Sequence, residues 1–341
     1  MATIYDVAGL AGVSAKTVSR VLNDDKAVKA PTRERVLAAM ARLDYRINAQ
    51  ARQLRTGVKT SIGLLLEDPA GGYQGRFHHA MLTACMESGR YLAVELYEPG
   101  QREWEDYIQR FLADAQIRDM ILLPTLCDFG PLKSLLKARR INCVLISPST
   151  PDDHYASVAM DDRMAAREVT ELLLKLGHKR IAHIAGHPDH AAAMLRRLGY
   201  LEAFDAILAP RPPDNYVAQG YFSFKSGLEA AEKLLNLAER PTAIFAANDE
   251  MAAATCSVAH KMGLNIPRDL SVIGFDDAPI SSAVWPALTT VRQPYLDMAR
   301  RSIQILNAAD DAFQASDRQV RHIIAHEIVA RETTAGIAEQ V

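Results

Sequence analysis

Cysteine is scarce and scattered in this chain: Cys85, Cys127, Cys143 and Cys256 lie far apart, with no C-x-x-C pair among them. That spacing excludes a zinc finger or a dithiol redox centre, and leaves reduced cysteines serving as small apolar side chains. Long apolar runs are missing too. No stretch reaches the roughly 18 residues that span a bilayer, and the opening MATIYDVAGL lacks the charged start and apolar run of a secretory signal. The expected location is the cytosol, with no membrane contact. Neither G-x-S-x-G nor another nucleophile motif occurs, so no catalysis is assigned. GGYQG at 71 follows an apolar run but is neither G-x-G-x-x-G nor a P-loop, and reads better as a ligand-entry loop. HPDH places His187 and His190 on a surface or cleft-edge loop, without the further ligands that a metal would need. No cofactor is implied, and no heptad run, repeat or low-complexity segment is visible; in particular the C-terminus offers no leucine heptad for further assembly.

What is present is a 341-residue chain, 49% hydrophobic, which suffices for at least one large core and for two or three domains. Its net charge of -2 conceals an asymmetry. Residues 1–60 hold 11 Lys and Arg against 5 Asp and Glu, whereas the remainder holds 28 against 36. A small basic head on an acidic body points to a polyanionic partner, with nucleic acid the first candidate.

Over the first 45 residues apolar side chains recur at helical spacing: Ile4, Val7, Ala8 and Ala11, then Val18, Val21 and Leu22, then Val36, Leu37, Met40 and Leu43. Gly12 and Val13 interrupt the first pair. Ser14 is placed to cap the second helix, and Thr32 to cap a third running from Arg33 to Leu43. After Gly57 the texture changes to strand-length apolar runs, each followed by a stretch of helical character: SIGLLL at 61, LAVELY at 92, DMILLP at 119, CVLIS at 143, IAHIAG at 181, TAIFAAND at 242 and SVIGFDD at 271. Runs of this kind signify parallel α/β sheets buried on both faces, here two in sequence.

Two short helices joined through a glycine turn in a basic segment form a helix-turn-helix candidate, Thr3 to Asn23. Ala8 is small enough for crossed helices, and Val13, Val18 and Val21 face their shared core. Ala15, Lys16 and Arg20 are left on the exposed face, where base edges and phosphates are met. A generic helical bundle is the weaker reading of the same pattern.

I-Y-D-V-A, G-V-S, T-V-S-R-V and N-A-Q-A-R-Q-L stand here in the order and spacing of the LacI/GalR family of bacterial transcription regulators, which the chain resembles along nearly its whole length. That resemblance implies an α/β fold with an all-α helix-turn-helix head, residues 1–46, a hinge helix, 47–57, and an effector-binding body, 61–335. The body should resemble periplasmic binding proteins, with parallel sheets in two subdomains: about 61–159 with 292–318, and about 162–289 with 322–335. It further implies DNA contacts from Thr3, Tyr5, Ser14, Ala15, Lys16, Thr17, Ser19, Arg20 and Asn23 in the head, and from Asn48, Ala51, Arg52, Leu54 and Arg55 in the hinge. Leu54 would enter the minor groove as a wedge when two copies order on DNA, although a leucine capping the body is the plainer alternative.

In the body, loops at the carboxyl ends of strands meet the ligand. By resemblance these supply Arg196 in RRLGY, Asn248 and Asp249 in AAND, and Asp276 in GFDD. Arg196 can fork two hydrogen bonds, while Asp249 and Asp276 can accept from sugar hydroxyls. Phe222 stands where the family carries a stacking aromatic, or is an ordinary core side chain. Ser147 stands where many sugar-responsive members have an aspartate, and Ala192 where a polar side chain is common. Glu67, Asp68 and Tyr73 are placed to compensate. The implied partners are a near-palindromic operator, a sugar-type effector and a second copy of the chain. A cytosolic carbohydrate-binding or carbohydrate-converting protein with an incidental basic head is the competing reading.

Overall fold

The three apolar sets of the head close on one another as three helices: α1, Ile4–Ala11; α2, Ala15–Leu22; and α3, Ala30–Arg42. Val7, Val18 and Val36 are wholly buried between them, each contributing about 1.5–3 kcal/mol of burial. Thr3 and Asp6 form a capping box on α1. Gly12 ends that helix at φ 64°, a left-handed conformation in which a side chain is disfavoured. Ser14 Oγ accepts from Thr17 N at 3.2 Å, as a cap should. Thr32 is not a cap: the helix begins at Ala30, because Pro31 fits the first turn, where its missing N–H has no intrahelical role.

This is a computed structural model, describing residues 3–22, 25, 28–43, 45, 61–69, 72–98, 100, 102–308 and 320–337. Chain contacts separate residues 1–60 from 61–341 as two compact units.

The second unit alternates strands and helices. Its first part comprises β1, Ser61–Leu66; α4, Gly72–Ser88; β2, Tyr91–Leu96; α5, Trp104–Asp114; β3, Asp119–Leu122; α6, Gly130–Ala138; β4, Asn142–Ile146; and β5, Ala156–Ala159. There follow α7, Asp162–Lys175; β6, Ile181–Ala185; α8, Ala191–Ala206; β7, Val217–Gln219; α9, Phe224–Leu235; β8, Ala243–Ala246; α10, Asp249–Lys261; and β9, Ser271–Ile273. The chain ends with α11, Ile280–Ala283; β10, Thr290–Arg292; α12, Tyr295–Ala308; β11, Arg321–Ile323; and β12, Glu327–Val329.

One parallel sheet has the order β11-β5-β4-β3-β1-β2, and the other β7-β6-β8-β9; β10 and β12 pair antiparallel. The chain passes between sheets three times, after β5, after β10 and after β11. Strand β11 pairs with β5 through His322↔Val158 and Ile323↔Ala159, so the last passage falls after Ile323 rather than at 322. Strands β1, β3 and β4 are almost wholly buried, as their unbroken apolar runs require. β2 departs from that pattern because it is an edge, with Tyr91 and Leu96 exposed. From Gly72 on, GGYQG is not a loop: Gly72 opens α4, and Gly75 packs so closely that an added Cβ would lie 2.9 Å from the Pro69 carbonyl oxygen.

Candidate functional site

In both sheets the strand order reverses next to the first strand, β1 beside β3 and β6 beside β8, and the carboxyl ends of these strands open onto one cleft of about 410 Å³. Asp68 follows β1, Thr125 follows β3, Ser147 follows β4, Asp162 follows β5, His187 and His190 follow β6, Asn248 follows β8 and Asp276 follows β9; all of them line it.

The centre of the second wall is Arg196, only 4% exposed. Its place depends on Gly199 one turn on, where a Cβ would lie 2.1 Å from the Arg163 carbonyl oxygen. Helices α7 and α8 approach closely at that glycine, which brings Asp162, in the first turn of α7, against the guanidinium. Arg196 Nε donates to Asp162 Oδ1 at 2.9 Å and Nη1 to the Ala247 carbonyl at 2.5 Å, while the Phe275 ring lies 3.6 Å below. Asp276 Oδ1 is 3.7 Å from Nη1 and accepts from Gln293 Nε2 at 2.5 Å. Arg76 of α4, which does not itself line the cleft, donates to the Asp276 carbonyl at 2.5 Å, so the loop carrying Asp276 touches both sheets' layers.

Asn248 caps α10, accepting from Met251 N at 3.0 Å, and donates to the Phe222 carbonyl at 2.8 Å. Phe222, at φ 61°, packs against the second sheet's core and also lines the cleft. Its ring covers Gly186, where a Cβ would fall 2.0 Å from it. Tyr73 lines the opposite wall with its hydroxyl buried, and burial raises its pKa. Ser147 sits at φ 48° with its N–H donated to the Val158 carbonyl. Ala192 also lines the cleft and, as expected, brings it no polar group.

Two expected ligand acceptors have other partners. Asp249 is 1% exposed. Its oxygens accept from Ala278 N and Thr290 Oγ1, both at 2.6 Å, and anchor the 274–278 loop. Burial first, then the neighbouring Asp276, pushes its carboxyl up to about 7. Glu67 does not line the cleft; it holds Thr125 Oγ1 at 3.2 Å and Gln74 Nε2 at 3.4 Å, and those two side chains do.

Sequence reasoning missed Asp162, Gln293, Gln74 and Thr125 as cleft residues. Asp162 had a usable signal, since it follows the strand run ASVAM, but that short run went unrecognised. The cleft-edge placing of His187 and His190 matches their position: both line the mouth with Tyr221 and Phe222, at ring separations of 5.3 to 5.6 Å. Burial, then His187, lowers the His190 pKa. Among the described residues no cluster of three or more His, Cys, Asp or Glu could hold a metal.

In the head, Tyr5, Lys16 and Arg20 are exposed, while Ala15, Thr17 and Ser19 are half-buried. Arg20 pairs with Asp25 at 2.7 Å. Thr3 and Ser14 serve the helix caps described above. Asn23, Asn48, Ala51, Arg52, Leu54 and Arg55, with the whole 47–57 segment, lie outside the described residues. No helix among the described residues is long and apolar enough to cross a membrane.

Residues 3–48 match the family described as bacterial regulatory proteins, lacI family, and residues 170–334 match the periplasmic binding protein-like domain. The chain is 32% identical to catabolite control protein A of Priestia megaterium over 305 residues, covering 89% of this chain and 91% of that one. It is 32% identical to the HTH-type transcriptional regulator GalR of Salmonella typhimurium over 338 residues, covering 98% and 96%. Among solved structures, the lac repressor dimer bound to operator and the anti-inducer ONPF gives a TM-score of 0.81 at 28% identity, covering 98% of this chain and 99% of that one.

A helix-turn-helix head on a body of binding-protein type defines a DNA-binding transcription regulator, not an enzyme. The chain belongs to the lacI family of bacterial regulatory proteins.

Proposed function

We propose that this regulator works in the cytoplasm as a homodimer on a near-palindromic operator, and represses genes of carbohydrate uptake or catabolism until a sugar-type effector enters the cleft. The observation that carries this reading is the buried Arg196, held between Asp162 and Asp276 at the meeting of both sheets' carboxyl ends. Such a group binds hydroxyls through fixed donors and acceptors at once. Arg196, Asn248, Asp276, Ser147, Tyr73, Asp68 and Phe222 contact the effector, while Asp249 and Glu67 hold the contacting groups in place. The operator is read by the face carrying Tyr5, Ala15, Lys16 and Arg20, in a domain covering 1–46, and a hinge at 47–57 enters the minor groove.

An effector can release DNA only by favouring a body conformation that does not hold both heads in register. The Arg76 to Asp276 hydrogen bond puts such a conformational contact directly behind the ligand site. Gel shifts on the protein's own upstream region, with a salt series and a carbohydrate panel, test the proposal. Retention that falls steeply with salt and responds to one sugar supports it; retention insensitive to both, with a purine bound instead, sinks it.

A further inference from the structure

The cleft's charge is one-sided. Arg196 is the single Lys or Arg along it among the described residues, and Nε, Nη1 and Nη2 are already engaged by Asp162 and the Ala247 carbonyl. The remaining charged side chains on the lining are all acidic: Asp68, Asp128, Asp189 and Glu250, besides Asp162 and Asp276; Asp249, buried and already accepting from Ala278 N and Thr290 Oγ1, is not counted with them. Asp128 is held in place by Ser149 N and Oγ at 2.9 and 2.8 Å, which keeps its carboxylate on the first wall.

Ionised carboxylates are acceptors only, so this lining asks its ligand for hydrogen-bond donors. A phosphate or carboxylate brings none, and would add a negative charge to a concave site whose only arginine is already neutralised by two aspartates. The two imidazoles at the mouth do not reverse the balance: His187 Nδ1 accepts from Asp189 N at 3.2 Å, and burial disfavours the charged form of His190.

We propose that the cleft selects an uncharged or amino sugar and rejects phosphorylated sugars, sugar acids and nucleotides. This rests on the sugar-effector reading and narrows it: the protein senses the free sugar and not a product of a kinase or of oxidation to a uronic acid.

Isothermal titration calorimetry of the full chain tests it with matched sets: glucose, glucosamine and glucose 6-phosphate; galactose, galactosamine and galacturonate; ribose and ribose 5-phosphate. Binding is expected only to neutral or amino members, with the anionic partner of any ligand weaker by about 100-fold or more at low salt. Added salt should leave the neutral ligand unaffected and narrow that gap. An anionic member binding as tightly as its parent overturns the charge inference while leaving the sugar reading intact. Silence across every set overturns the sugar reading, and this inference with it.

Discussion

Arg196 Nε and Asp162 Oδ1 are 2.9 Å apart with both side chains about 5% exposed, which makes this pair the fixed point between α7 and α8. A buried ion pair contributes little net stability when intact, but removing one partner strands the other charge. Asp162→Ala should therefore destabilise the body by about 3–5 kcal/mol and weaken effector binding, read by urea melts and calorimetry on the full chain. A melt unchanged from the parent would show that the pair is not the anchor described.

Asp249 makes stability depend on pH. Its folded pKa is raised to about 7 from 3.8, so above about pH 4 the folded state keeps a proton that the unfolded chain has released. The stability this provides is present at low pH and lost as pH rises from about 4 towards 7, by a few kcal/mol at most. Asp249→Asn should flatten that fall. Melting temperatures measured from about pH 5 to 8 check it, and parallel profiles for the two proteins would contradict it.

Much of this architecture is visible in the sequence, for a physical reason. Strands β1, β3, β4, β6 and β8 are buried on both faces, so their residues had to be apolar at successive positions. The strands missed are β5, only four residues long, and β7, β10, β11 and β12, which are three residues each and carry Gln219, Arg292, Arg321 and Glu327, so no long run marks any of them. The site divides the same way. Arg196 and Asn248 stand in recognisable motifs, but Gln293 reaches Asp276 only because the chain crosses between sheets there. Asp249 and Asp276 look alike as acids after strands. Only the fold shows that the first faces Thr290 and Ala278, and the second faces Arg196.

Lys16 is exposed near the start of α2, and in the proposed operator complex it meets guanine acceptors in the major groove. Lys16→Ala should cost about 1–3 kcal/mol on the operator and much less on random DNA. Arg20→Ala, which also dissolves the pair with Asp25, should weaken both. Equal losses on both DNAs for Lys16→Ala would remove it from base reading.

Leu54→Ala should weaken operator binding and leave sugar affinity unchanged, since a minor-groove wedge acts only on the bent duplex. Anisotropy with labelled operator, beside calorimetry on the same preparation, checks both halves. An unchanged operator affinity would assign the leucine to the body instead.

The central claim is that occupancy of the cleft sets the grip on DNA, and it is tested most directly by operator anisotropy titrations with and without a saturating neutral sugar identified by calorimetry, on the parent chain and on Arg196→Met. The account predicts that the sugar shifts the parent's operator Kd by about 5- to 150-fold, the usual range of coupling between sites, and leaves Arg196→Met unmoved. A sugar that fills the parent's cleft without changing its operator Kd would contradict it.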